Sequence, residues 1–593
     1  MKLTHSLAAL WVGIAAFSAV SQLRAVGADT PFTTLEAEAG SLSGGAKIHA
    51  FILGSPVPTS PIAELESSGG AFVKLARTGD AITWKNPMDG ANAIVVRSSL
   101  PDTPDGGGIT GTLNLYVDGA FRQAVTLSSK QSWVYRKPGI WSDDPHSGGV
   151  AFKFYNEDPT FITGAPISRG SLIMLRKDTD STASEYNLDC IDLEAVAAPA
   201  AQPAGSLSVL DYGARPDTET DSQEAISRCI ADAATKGMSV WLPAGRYLVG
   251  SMVSGGIAIK GVTVRGAGMW HTTLYRRPPV ATANSPKLWR TYIQLGAHST
   301  VSDLSIDCNS VRRAIGKPGG GDYSILASGE GWLVDRVWAR HCDAVWLSGS
   351  DGIIRNSRVS DSWGDGINLN NGNTPHPDRL GHYLTAENNF VRGTGDDGLA
   401  TYSDRGKDGT NGQMIGASFL NNTAVAPYWA NSLRVAGGSE VVVRGNLLTD
   451  PAANSGMNIG IFGNSGQPIE SALIEHNVIR RGGGWNGTDR HGVVFASRPD
   501  QASVVTFRDN SIEDSRRSGL TIAATLHKLI IENNRISHPA ASGILIEKGV
   551  SGTVCVQGNQ VTGLAPDELL LNNKSPSTLA VWQLASPRKS YRK

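Results

Sequence analysis

From about Val262 to Gly563 the apolar residues come in short runs broken by polar turns, with no helical period. From Asp335 on, a polar anchor stands two places before an apolar, mostly β-branched residue, and this recurs nine times. The anchors are Asp335, Ser357, Asn389, Thr423, Asn446, Asn477, Asn510, Asn534 and Asn559, followed by Val337, Val359, Val391, Val425, Leu448, Ile479, Ile512, Ile536 and Val561. Successive anchors are 22, 32, 34, 23, 31, 33, 24 and 25 residues apart. A repeat of this size signals a solenoid. The shorter gaps fit one bare coil and the longer ones a coil with an inserted loop. The inward residues would form the core, and the Asn column could form a hydrogen-bonded ladder. Propeller blades would need about four strands per 40–50 residues, which these gaps do not allow.

Ahead of the coils, Asp221-Ser222-Gln223-Glu224 has the form of a capping box, and Ile226, Ile230 and Ala233 make an apolar helical stripe. A helix there would cover the open end of a solenoid, which otherwise exposes core and strand edges. Earlier still, residues 32–196 show period-two runs such as Thr112–Val117 and turns such as Asp118-Gly119, the pattern of a β-sandwich. The expected fold is therefore all-β, a β-sandwich followed by a right-handed parallel β-helix. The segments are a signal peptide over 1–28, the sandwich over 32–196, an Ala/Pro-rich linker over 197–205, the β-helix over 206–570 and a basic tail over 571–593.

Composition narrows the function. Net charge is -1 and no long basic run occurs, so neither nucleic acid nor an anionic membrane is an expected partner. The first 28 residues, with Lys2, an apolar core over Leu7–Val20 and Ala25 or Ala28 at the cleavage site, imply secretion, extracellular or periplasmic. The five cysteines are scattered and are read as buried free thiols. The chain is expected to act as a monomer.

Eight residues after each anchor lies a second column: Asp343, Asp365, Asp397, Asn431 and Asn454, with Ser518 and Ser542 further on. Asp, Asn and Ser suit any tight turn. Three neighbouring coils nevertheless use Asp, and Asp396 adds a fourth carboxylate beside Asp397. Stacked like charges about 4.8 Å apart oppose folding, so turn geometry alone does not account for them. One such acid should hold its proton, and an acid beside a base is what glycosidic hydrolysis needs. Loops over Asn370–His382 and Ser403–Gly412 would wall a cleft there. Trp363, Tyr402, Tyr428 and Trp429 are candidates to stack on sugar rings, and Arg434 and Asp404 to hydrogen-bond hydroxyls.

Two resemblances sharpen this. LEAEAG (35–40) and NLDCIDLEAV (187–196) resemble the ends of carbohydrate-binding modules of families 6 and 35. That resemblance implies a structural calcium held by Glu36, Glu38 and Asp189, with Trp84, Trp133, Tyr135 and Trp141 as candidate sugar contacts. WGDGIN (363–368) and GDDGLATYSD (395–404) resemble glycoside hydrolase family 87, the α-1,3-glucanases and mycodextranases. The resemblance implies catalytic roles for Asp365, Asp396 and Asp397, endo-hydrolysis of α-1,3 bonds with inversion, a neutral α-glucan partner and no cofactor for catalysis. A polygalacturonase-like hydrolase fits less well, since Gly381-His382-Tyr383 and Arg434-Val435-Ala436 break its signatures. A lyase lacks its Lys or Arg base in the column. A glycan-binding solenoid without turnover remains the third reading.

Overall fold

The computed structural model describes residues 26–583 except 138–139, 143, 251–255, 278–292, 311–322, 373–379, 407–408, 410, 462–465, 497–503, 525 and 577–578. Residues 1–25 of the expected signal peptide over 1–28, part of the first cleft loop and the end of the tail lie outside the described residues.

Each β-helix coil contributes three short strands. Two of them join a continuous 24-stranded sheet that bends around the coil, and the third joins a 12-stranded sheet. All pairings within both are parallel, as one coil stacks on the next. Short apolar runs suffice because every coil buries the same inward positions against its neighbours, in one core running from Val209 to Val556. The helix Gln223–Lys236 closes the first coil with Ile226, Ile230 and Ala233 buried beneath it. Its start departs from a capping box. Asp221 caps the Gln223 N–H at 2.7 Å, while Glu224 pairs with Arg228 one turn on.

The Asn ladder is real and differs from expectation at two anchors, one of them Asp335, since Val337 stands level with Ser357. Each amide oxygen accepts the backbone N–H of the ladder residue one coil earlier, through Asn389, Asn422, Asn446, Asn477, Asn510, Asn534 and Asn559. Asn422, not Thr423, is the rung. Ala424 pairs with Leu448, so the residues two before them, Asn422 and Asn446, share a level. The residue before each rung turns the chain through the left-handed region, as at Asn388, Asn421, Asp509 and Asn533. Short polar side chains tolerate that backbone best.

Residues 32–194 form two antiparallel sheets packed face to face, plus a small three-stranded sheet over Val134–Phe152. Strand Tyr186–Glu194 lies between Ala93–Ser99 and Ala71–Leu75 and also pairs with Phe32–Glu36. The first and last strands of the sandwich therefore meet. This sandwich lies against the β-helix across buried charge. Glu157 and Asp192 from the sandwich face Arg358 and Arg392 from the coils, all four nearly inaccessible. All five cysteines are free thiols, four of them buried.

Candidate active site

Strand Leu399–Tyr402 stacks on Ile367–Asn370 with Leu399 level with Ile367, so the residues two before each, Asp397 and Asp365, also stack. The Gly366 N–H donates to the Asp397 carbonyl at 2.9 Å, and the Gly398 N–H donates to the Asn431 carbonyl at 2.9 Å. These turns are held by backbone bonds, which frees the carboxylates for other work.

The carboxylates meet. One oxygen from each of Asp365, Asp396 and Asp397 lies within 4.8 Å of the others. The Asp397 N–H is shared between Asp365 Oδ1 and Asp396 Oδ1, both at 3.1 Å. Asn368 donates to Asp365 Oδ2 at 2.7 Å, and Asn431 donates its backbone and side-chain N–H to Asp397 Oδ1 at 2.9 and 2.7 Å. They line a cavity of about 290 Å³ together with Trp346, Tyr402 and Arg434.

Electrostatics separates the acids. Burial, then the charges of Asp396 and Asp397, hold the Asp365 carboxyl far above the usual carboxylate range. Burial also raises Asp397, but Arg434 and the two Asn431 bonds pull it back. Asp343, one coil earlier, adds to the upward push on Asp365 without lining the cavity.

Several expected contacts fall elsewhere. Trp363 is 2 % exposed and turned away from the groove, its indole N–H donating to the Ser310 carbonyl at 2.9 Å. It packs with Val134, Phe152 and Tyr428 where the sandwich meets the coils, so neither Trp363 nor Tyr428 offers a ring to substrate. Trp429 packs against the same cluster with Arg136 over its ring, and it does not line the cavity. Asp404 is buried and accepts the Tyr402 hydroxyl at 2.7 Å, so it holds a wall residue. The turn column runs through Ser455 and then His491, not Asn454, because it stands two before Met457 and Val493. Trp346 and Asn368 went unnoticed in sequence. Their signal is the middle, outward position of Val345–Leu347 and of Ile367–Leu369, next to the acid column.

Glu36, Glu38 and Asp189 lie near one another where the first and last strands of the sandwich pair. Asp189 is paired with Arg97 and also accepts the Ser68 N–H at 2.9 Å. Glu36 accepts the Ser68 hydroxyl at 2.6 Å. Arg97 gives Asp189 a countercharge, while one buried carboxylate oxygen of Glu38 has no hydrogen-bond partner among the described residues. Burial pushes Glu36 up to about 8 and Glu38 up to about 7. Of the candidate sugar contacts in the sandwich, Trp84 donates to Glu36, Trp133 to Leu100 and Tyr135 to Asp102. The Trp141 side chain lies outside the described residues.

Comparison with known proteins fits this geometry. Residues 29–196 match the family described as alpha-1,3-glucanase catalytic domain D1, and residues 218–484 match domain D2 of the same catalytic domain. The chain belongs to the α-1,3-glucanases of glycoside hydrolase family 87. Residues 428–579 also match a right-handed β-helix region. In this glycoside hydrolase the sandwich is thus matched as the first part of a catalytic domain, not as a carbohydrate-binding module. Similar solved structures include the Agl-KA catalytic domain, at 23 % identity and TM-score 0.80 over 94 % of this chain and 98 % of that one. The catalytic unit of a thermostable GH87 α-1,3-glucanase from Streptomyces thermodiastaticus strain HF3-3 is 26 % identical, with TM-score 0.76 over 94 % and 96 %. A GH87 α-1,3-glucanase catalytic domain in complex with nigerose is 22 % identical, with TM-score 0.77 over 94 % and 99 %. No curated protein matches the chain.

Proposed function

We propose that the enzyme hydrolyses α-1,3-glucosidic bonds inside a neutral α-glucan, with inversion, by general acid–base catalysis. The observation that carries the reading is the carboxyl triad in an open, aromatic-edged cavity, with Asp365 holding its proton. Asp365 protonates the leaving glycosidic oxygen as the bond to the anomeric carbon breaks. Asp397, kept the more acidic by Arg434 and Asn431, takes a proton from the attacking water, and Asp396 shares that water. Trp346 and Tyr402 flank the sugar, and Arg434 donates to its hydroxyls. No metal takes part in these steps.

The acids sit tighter than a simple inverting pair, whose carboxyls stand about 6.5–9.5 Å apart. Inversion therefore requires the Asp365 and Asp397 side chains to diverge so that the sugar and the attacking water fit between them. Retention, with one carboxylate as nucleophile, is the competing outcome. A uronate substrate would bring its own negative charge to three carboxyls and one guanidinium, which favours a neutral glucan. We also propose that the sandwich serves to brace the coils, that the protein is secreted and that it works as a monomer. The deciding experiment is product analysis on α-1,3-glucan, nigeran and dextran with the anomer followed by NMR. The β-anomer should appear first from an α-1,3 bond. Early α-anomer would show retention, and cleavage of dextran alone would remove the linkage assignment.

A further inference from the structure

On the 12-stranded sheet, outward side chains stack in register from coil to coil. Asn368, Ala400 and Arg434 belong to one such row and line the catalytic cavity. From Arg434 the row continues through Asn458, Val494 and Thr521 to Leu545 and Asn572. These last two line a second recess, of about 580 Å³. The turn column arrives at the same place, since His491, Ser518 and Ser542 also line the recess. Its other wall is the sandwich loop Gly54–Val57. One continuous edge therefore connects the catalytic acids to a second polar hollow. Strand Leu520–Ile522 is four coil steps from Leu399–Tyr402, about 19 Å at the spacing of paired strands.

The hollow is built with hydrogen-bonding capacity that the protein does not use. Arg516 is 3 % exposed and lines it, yet its Nη2 has no hydrogen-bond partner among the described residues. The same holds for Nδ1 of His491, 6 % exposed, and for Nε of Arg517. Along the row between the two cavities, Asn458 Oδ1 and Thr521 Oγ1 are likewise buried and unpartnered. Buried polar atoms are normally satisfied by protein or ordered water, so a run of them along one edge offers a hydrogen-bonding ligand its partners. The lining also fixes the ligand's class. Arg516, Arg517 and Lys574 stand beside Glu547 and Glu568, so donors and acceptors are mixed and the charges nearly cancel. An anion would meet two carboxylates. A neutral polyhydroxyl chain, whose hydroxyls both donate and accept, suits every group present.

We infer that this recess is a distal binding subsite for the glucan chain whose cleavage site is the Asp365–Asp397 cavity. The inference rests on the α-glucan reading of that cavity. Binding energy gathered there anchors long chains across the acids and contributes nothing to oligosaccharides too short to reach it while spanning them.

The test compares wild type, Arg517→Ala and Asn572→Ala on α-1,3-glucan polymer and on nigerotetraose, with thermal melting of each variant. Each variant should raise KM on the polymer by about tenfold, the scale of one lost hydrogen bond to a charged group or less, and leave nigerotetraose kinetics within twofold. Equal losses on both substrates, or polymer kinetics that do not move, would overturn the subsite. Inhibition of polymer cleavage by oligogalacturonate at wild type but not at Arg517→Ala would also overturn it, in favour of an anionic ligand. A wild type inactive on α-1,3-glucan would remove the reading of the cavity itself, whereas an active wild type with unaffected variants removes the subsite alone.

Discussion

The backbone N–H of Asp397 donates to the carboxyl of Asp365 one coil earlier, at 3.1 Å. This bond crosses the same step that brings like charges together. Asp365 retains a proton because it is buried beside Asp396 and Asp397, so its loss on raising the pH ends general-acid catalysis. Asp397 is raised less, and protonating it on lowering the pH ends general-base catalysis. Both limbs of the pH–kcat bell should therefore lie above the ordinary Asp value of 3.8. Asp365→Asn should lower kcat by about 10³-fold, within the range for general acids, and leave substrate binding in place. An unshifted alkaline limb, or a variant above a tenth of wild-type rate, would refute the assignment.

Lys153 reaches from the sandwich to the back of the catalytic turns. It is wholly buried, at left-handed φ 58°, with Nζ 4.8 Å from the Trp363 ring centre and 5.6 Å from that of Tyr428. Its countercharge is Asp361 at 3.7 Å. Lys153→Met should destabilise the fold by about 3 kcal/mol, as for a broken buried pair, and lower kcat more than it changes KM. Calorimetry and steady-state kinetics check the two effects. A variant with wild-type kcat would show that the sandwich does not position the acids.

Gly395 is the residue before the Asp396–Asp397 pair. A Cβ there would lie 1.9 Å from the Trp363 carbonyl oxygen and 2.3 Å from the Tyr428 hydroxyl. Backbone cannot yield by that much without moving the acids. Gly395→Ala should cost about 10²-fold in kcat, the scale of an ångström-size displacement. A fully active Gly395→Ala would mean that the turn is not held by this contact.

The seam between the domains predicts acid lability. Burial raises the Asp192 carboxyl, but Arg392 and Arg358 outweigh it and pull it down to about 2. A depressed carboxylate stabilises above its unfolded pKa and loses that contribution as pH falls through the folded value. Stability from this pair should therefore be complete above pH 4 and lost towards pH 2. Arg392→Met should weaken the dependence, with Arg358 still paired to Asp192, and cost about 3–5 kcal/mol at neutral pH, since it leaves buried carboxylates short of countercharge. Chemical denaturation at a series of pH values measures both.

Metal removal gives a fifth check. Asp189 has Arg97 for its countercharge, and the proposed hydrolysis uses carboxyl groups alone. Dialysis against EDTA should leave kcat unchanged, and a reversible loss restored by calcium would contradict both statements.

The solenoid, its capping helix and the location of the acids were legible in the chain because they are periodic. A repeat in sequence becomes a stack in space, and the anchors needed correction at Thr423, where neighbouring Asn422 is the rung, and at Asp335, since Val337 stands level with Ser357. The aromatic contacts were not legible. Trp363 and Trp346 stand near the same acids, yet one is buried under the sandwich and the other borders the cavity. Trp346 carries a local signal in its outward strand position, but what buries Trp363 is Val134 and Phe152, more than two hundred positions earlier. The countercharge of Asp189 was not legible either, since Arg97 lies on another strand of the sheet.

Sequence by itself determined the coil, its register and the stacking of Asp365 on Asp397, because hydrogen bonding between neighbouring coils is dictated by local pattern. Tertiary structure alone decided which side chains face substrate, which carboxyl keeps its proton and what the sandwich is packed against. Those depend on burial and on charges brought close by distant segments, and neither quantity exists until the two domains meet.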